Sequence, residues 1–173
     1  MEHNKTKQMI ILSMLIAMAI ILHYIEGLFP LPVAIPGIKL GLSNVVSLVA
    51  LYLFGPGSAF LIMILRVLMT SFLYSGLSSA IFSLAGGLSA VSFMIAIWKL
   101  RDKGFSIVGA SVAGGIFHNV GQLLAASFVL GTFTVFSYLP VLAVSGIVTG
   151  AATGILANLL VPRLKKIISI YLN

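Results

Sequence analysis

Residues 38–75 read IKLGLSNVVSLVALYLF, then GPG, then SAFLIMILRVLMTSFLYS. Both runs are continuously apolar and lack the apolar-polar alternation of a barrel strand, and each approaches the roughly 20 residues a helix needs to cross a hydrocarbon core. Gly55-Pro56-Gly57 after Phe54 breaks the helix and favours a tight turn. The segment therefore predicts two membrane helices joined by a hairpin. In lipid a helix satisfies its own backbone hydrogen bonds, which an open strand cannot do.

Working outward, the same texture places spans at roughly 8–26, 38–54, 57–75, 78–98, 105–131 and 138–162. The second is short, and Pro36-Gly37 marks its beginning. The expected fold is an all-α membrane protein, a compact bundle of about six transmembrane helices forming a single integral membrane domain over 1–173. Composition agrees, since 60% of the 173 residues are hydrophobic and 8% are charged, whereas a soluble domain is about a quarter charged. There is no Cys, which excludes disulfides and thiolate metal sites.

Lys5 and Lys7 precede an apolar run, and Ala17-Met18-Ala19 has the small-x-small spacing of a signal-peptide cleavage site. The run nevertheless continues to Ile25 without a polar break, so a retained first helix is expected. The net charge of +7 could point to nucleic acid, but the placement of the basic residues argues for membrane topology instead. With an even number of spans, Lys5, Lys7, Lys99, Arg101, Lys103, Arg163, Lys165 and Lys166 share one side, against Lys39 on the other. The positive-inside rule then puts both termini and the 99–104 loop in the cytoplasm.

Several polar residues fall where lipid tolerates them poorly. Arg66 lies near the middle of the third span, where it needs a partner or a cavity. It is either a ligand contact or an architectural pair with Glu26 or backbone carbonyls. Thr70 and Tyr74 follow it at i+4 and i+8, as a polar stripe rising toward the outer surface. In the fifth span His118 and Gln122 share a face by i, i+4 spacing, with Asn119 beside them. This cluster is a ligand site or a satisfied core. Asn44 opens the second span, while His23 and Glu26 close the first. Lys39 plus Arg66 minus Glu26 leaves one surplus positive charge, which suits a carboxylate or phosphate.

The proline-bearing loop 26–41 reads as a lid over an outward-facing pocket or as a re-entrant structural loop. Gly146, Gly150 and Gly154 line one face of the sixth span and predict close helix packing. Ser13 and Ala17 offer a similar small-residue face that could meet another helix of this chain or a separate membrane subunit. The acids are Glu2, Glu26 and Asp102, so a carboxylate pair and an acidic magnesium cluster are missing. There is no P-loop, and the histidines lack metal-ligand spacing, so neither a metal nor a catalytic residue is expected.

Pro36-Gly37-Ile38-Lys39-Leu40-Gly41-Leu42-Ser43-Asn44 resembles the signature of the Gx transporter family, also known as heptaprenyl diphosphate synthase component I. Tyr24-Ile25-Glu26, Leu84-Ala85-Gly86-Gly87 and the run from Gly114 to Gln122 extend the likeness over nearly the whole chain. Ser43 stands where Ala is commoner. The family resembles the substrate-binding S components of energy-coupling factor transporters. That resemblance implies a six-helix protein in the cell membrane that captures a small anionic, vitamin-like molecule, with membrane lipid around it and no nucleic acid. It implies partnership with a transmembrane coupling subunit, docked on Ser13 and Ala17, and with two cytosolic ATPase subunits. It also implies a flavin (FMN, FAD or riboflavin) as the transported ligand, with no cofactor of the chain's own. Glu26, Lys39, Asn44, Arg66, Tyr74, His118, Asn119 and Gln122 are the expected binding residues. The alternatives are an accessory membrane subunit of a polyprenyl diphosphate synthase and a structural membrane scaffold.

Overall fold

The computed structural model describes residues 2–28 and 41–172. These form six α-helices: α1 Glu2–Leu28, α2 Leu42–Phe54, α3 Pro56–Thr70, α4 Gly76–Lys99, α5 Ile107–Leu130 and α6 Leu139–Leu172. A π-helical turn, Ser71–Ser75, joins α3 to α4, and 3-10 turns at Arg101–Lys103 and Phe133–Tyr138 join α4 to α5 and α5 to α6. Gly55, Gly104 and Gly131 take positive φ at the bends that reverse the chain. The bundle alternates direction, so the α2–α3 and α4–α5 turns lie at the end that carries Lys99, Arg101 and Lys103. Lys7 donates to the Tyr171 carbonyl at 2.8 Å, which ties the two chain ends together at that same basic end.

Five segments are long and apolar enough to cross a membrane: Lys5–Leu28, Pro56–Tyr74, Ser79–Lys99, Ile107–Leu130 and Phe133–Tyr171. The protein is a multi-pass membrane protein. Its outer surface carries Met14, Met18, Phe72, Phe128 and Phe133 exposed, which suits lipid rather than water. α4 and α5 lie over the expected 78–98 and 105–131, while α3 ends at Thr70 and only with the π turn reaches the expected 75. α6 runs through Pro162 to Leu172, well past the expected 162. It continues beyond the apolar stretch as a basic helical extension holding Arg163, Lys165 and Lys166.

The second span differs most from expectation. α2 begins at Leu42, not at 38, and residues 38–40 lie outside the described residues. Its 13 residues make a helix of about 20 Å, short of a hydrocarbon core of about 30 Å. Yet α2 is the most enclosed helix. Val45, Val46, Ser47, Leu48, Val49, Ala50 and Leu51 are all buried, as expected of a helix apolar on every side. It packs against α1, α3, α4 and α6. One core cluster joins Leu48, Leu51, Met63, Val67, Val91 and Met94, and a second joins Ala19, Val46, Ala50 and Ile62.

The glycine row of α6 lies against α5. A Cβ at Gly146 would come within 2.8 Å of the Gly115 backbone, and one at Gly150 or Gly154 within 2.8 Å of a Val112 or Val108 Cα. These contacts are backbone to backbone and cannot be relieved by a side-chain rotation, so the row serves packing within the bundle.

Candidate functional site

The short α2 creates the site. Counted from the basic end, Leu42 stands about 18 Å along α2, and Arg66 about 15 Å along the neighbouring α3. Above that level α2 contributes no helical residue among those described. A pocket lies at this level, lined among the described residues by side chains of all six helices. The start of α2 is its floor.

Arg66 reaches that floor from α3 and is 3% exposed. Its Nη1 donates to Ser43 Oγ at 2.9 Å and lies 3.4 Å from His23 Nδ1. Its Nε and Nη2 are buried and find no hydrogen-bond partner among the described residues. Unsatisfied guanidinium N–H groups are costly at this depth. Glu26 also lines the pocket, but its carboxylate accepts from the Gly41 backbone N–H and so holds the start of α2 from α1. Gly41 adopts a left-handed φ of 74° and gives α2 no side-chain cap. The start of α2, at the positive end of its helix dipole, therefore lies beside Arg66, which reaches Ser43 Oγ.

The opposite wall comes from α4, α5 and α6. His118, Asn119 and Gln122 line it from α5, His118 and Gln122 sharing a face at i, i+4. The face they form is fixed from behind by Gly86 of α4, where a Cβ would meet Gln122 Cγ at 2.8 Å and His118 Cε1 at 3.0 Å. Asn119 Nδ2 donates to the Leu142 carbonyl at 2.6 Å, so its amide nitrogen is used to tie α5 to α6. Asn44 completes the floor beside Gly41.

Of the residues expected from sequence, Glu26, Asn44, Arg66, His118, Asn119 and Gln122 come together here. Tyr74 does not join them. The π turn at Ser71–Ser75 holds an extra residue per turn, and it breaks the stripe that began at Arg66 and Thr70. Tyr74 faces α1 instead, where its hydroxyl donates to the Ile20 carbonyl at 3.3 Å and its ring meets Tyr24. Lys39 and most of the expected 26–41 lid lie outside the described residues. Ser13 and Ala17 are exposed on the outer side of α1, away from the bundle.

Ser43, Ser83, Ser145 and Thr149 were not expected and also line the pocket. No Phe, Tyr or Trp stands among the described lining residues. A second, smaller cavity shares Gly41, Asn44, Gly115 and Thr149 with the first and reaches Ser111 and Thr153.

A sequence profile described as heptaprenyl diphosphate synthase component I matches residues 15–160. A solved structure described as "Structure and mechanism of the S component of a bacterial ECF transporter" is similar over 98% of this chain and 99% of that one, at 25% identity and a TM-score of 0.62. A search of curated proteins by sequence gives no match.

Proposed function

Because this chain belongs to the heptaprenyl diphosphate synthase component I family and folds like the S component of an ECF transporter, we propose that it captures a small anionic molecule in the membrane for transport. It is a substrate-binding membrane subunit, not an enzyme. The synthase in the family name finds no support in the chain's acids, which include a single Asp, on the turn after α4.

The observation that carries the anionic reading is Arg66, buried at the pocket floor beside the start of α2 with no hydrogen-bond partner for Nε and Nη2 among the described residues. A carboxylate or phosphate would satisfy both N–H groups in the two-pronged geometry that suits a guanidinium. It would also meet the positive end of a helix dipole, an arrangement that recurs where broken helices line transporter sites. A flavin nucleotide is the ligand we name first, as the family resemblance implies. Its phosphate would meet Arg66 at this floor, whereas its ring would have no Phe, Tyr or Trp to stack on among the described lining residues. The basic end would then face the cytoplasm, the pocket would open outside the cell membrane, and a coupling subunit with two ATPases would supply the energy.

The test is equilibrium binding to the detergent-purified chain, with thermal stability read on the same sample. FMN is expected to bind more tightly than riboflavin, which lacks the phosphate. Arg66→Lys keeps the charge but loses the planar pair of donors, and should weaken FMN by about 2–5 kcal/mol, roughly thirty- to several-thousand-fold. A folded Arg66→Lys protein that binds FMN normally would make Arg66 a scaffold residue and end the anion-site reading.

A further inference from the structure

α6 is longer than a membrane crossing requires. Its 34 residues make a helix of about 51 Å, against a hydrocarbon core of about 30 Å. The surplus lies at the basic end. A Cβ at Gly154 would meet the Val108 Cα, so α6 passes the start of α5 there and runs on from Ile155 to Leu172. Ala157 and Val161 are still buried in the core, and Leu164 packs against it.

Beyond Val161 the side chains sort by face. Leu164 and Ile168, at i and i+4, are half-buried. Tyr171, next along that side, meets Lys7 through its carbonyl and its ring. Arg163, Lys166, Ile167 and Ile170, at i, i+3, i+4 and i+7, form an exposed stripe on another side. Ile167 is 61% exposed and Ile170 71%. Arg163, Lys165 and Lys166 form no ion pair among the described residues, whereas Arg101 has Asp102 at 3.9 Å.

A stripe that mixes unpaired cations with large isoleucines suits neither water nor hydrocarbon. Water disfavours the isoleucines, and hydrocarbon disfavours the cations. The headgroup zone of a bilayer suits both, because phosphates lie there beside the ends of the acyl chains. The cations also follow the apolar run of α6 directly, which places them at the membrane edge. Pro162 has no N–H for the Asn158 carbonyl, so the helix can bend there and bring the isoleucines onto the surface.

We infer that the α6 extension binds anionic phospholipid headgroups. Arg163, Lys165 and Lys166 pair with phosphate oxygens, while Ile167 and Ile170 sit among the upper acyl carbons. A phospholipid of net negative charge is favoured over a zwitterionic one, whose own cation competes for the phosphate. The inference is independent of what the pocket takes.

Native mass spectrometry of the detergent-purified full chain, offered equal phosphatidylglycerol and phosphatidylcholine, reads the preference. Each cation near an anionic surface contributes roughly fivefold in binding, so phosphatidylglycerol should be retained at least about tenfold over phosphatidylcholine. Arg163→Gln, Lys165→Gln and Lys166→Gln together should erase most of that preference, and Lys166→Gln alone should lower it several-fold. Lys99→Gln with Lys103→Gln removes charge from the α4–α5 turn instead and should leave the preference standing. Thermal unfolding in detergent shows which variants fold. In nanodiscs, adding phosphatidylglycerol to phosphatidylcholine should raise the unfolding temperature of the parent but not of the triple variant. Equal retention of the two lipids would leave the stripe to a protein partner and overturn the inference. An undiminished preference in the folded triple or single variant, or an equal loss in the turn variant, overturns it as well.

Discussion

Arg66 and Glu26 come from different helices, and each makes a hydrogen bond that the other does not. Glu26 secures the Gly41 N–H at the start of α2, while Arg66 leans on Ser43 and His23. If the two residues were a purely structural pair, removing either would reduce folding about equally. The geometry predicts asymmetry instead. Glu26→Gln keeps an oxygen to accept from Gly41 but removes a negative charge near the proposed anion, so FMN should bind several-fold more tightly to a protein that still folds. Arg66→Met should abolish FMN binding. Equal losses of thermal stability in both variants, with no opposite effect on binding, would count against this division.

At the scale of the helices, the α5–α6 contact makes the sharpest statement about stability. Gly146→Ala places a methyl against the Gly115 backbone, and separating two helices should cost about 1–3 kcal/mol. Gly57→Ala, where a Cβ meets nothing within 4 Å, is the matching control and should lose nothing. Thermal unfolding in one detergent checks both. A Gly146→Ala protein as stable as the parent would mean that the helices part without penalty. The α1 face tests association. Ser13 and Ala17 are exposed although Ala19, two residues on, is fully buried. Ala17→Trp should therefore leave the bundle intact while weakening co-purification with a coupling subunit, and undiminished co-purification would place the docking face elsewhere.

The element scale also shows what could be read from the residues. Apolar runs and the Gly55-Pro56-Gly57 break located the helices because burial in lipid demands continuous hydrophobicity, a strong signal. The i, i+4 pair His118 and Gln122 reached the pocket because α5 is regular. Tyr74 was misplaced because a π turn has no such signature in sequence. Ser83, Ser145 and Thr149 were passed over because single hydroxyls in a helix so often bond only their own backbone. The length of α2 was also hidden, since the apolar run continues through residues 38–41 with only Lys39 to interrupt it.

For the whole molecule, the distribution of basic residues orients the bundle. Arg101, Lys103, Arg163, Lys165 and Lys166 gather at the end where Lys7 meets Tyr171, and that end is expected in the cytoplasm. The chain has no Cys of its own, so single introduced cysteines report cleanly. In intact cells a membrane-impermeant maleimide should label Thr134→Cys, on the turn before α6, and spare Asp102→Cys until the membrane is opened. The reverse pattern would invert the orientation and close the pocket to the outside.

In the proposed orientation the short α2 would also set where the membrane voltage falls. A pocket open to the outside, as proposed, and hydrated to its floor would carry the outside potential down with it, and the drop would be concentrated across the protein beneath, about the 20 Å length of α2. An anion would then bind at Arg66 almost without sensing the voltage. In vesicles, FMN affinity should be the same at 0 and −100 mV, and a change of roughly fivefold would place the site within the field. The inward step would meet the whole opposing potential, about 2.3 kcal/mol per charge per 100 mV. Inward movement of an anion therefore needs work supplied from outside this chain, whereas outward movement runs downhill electrically.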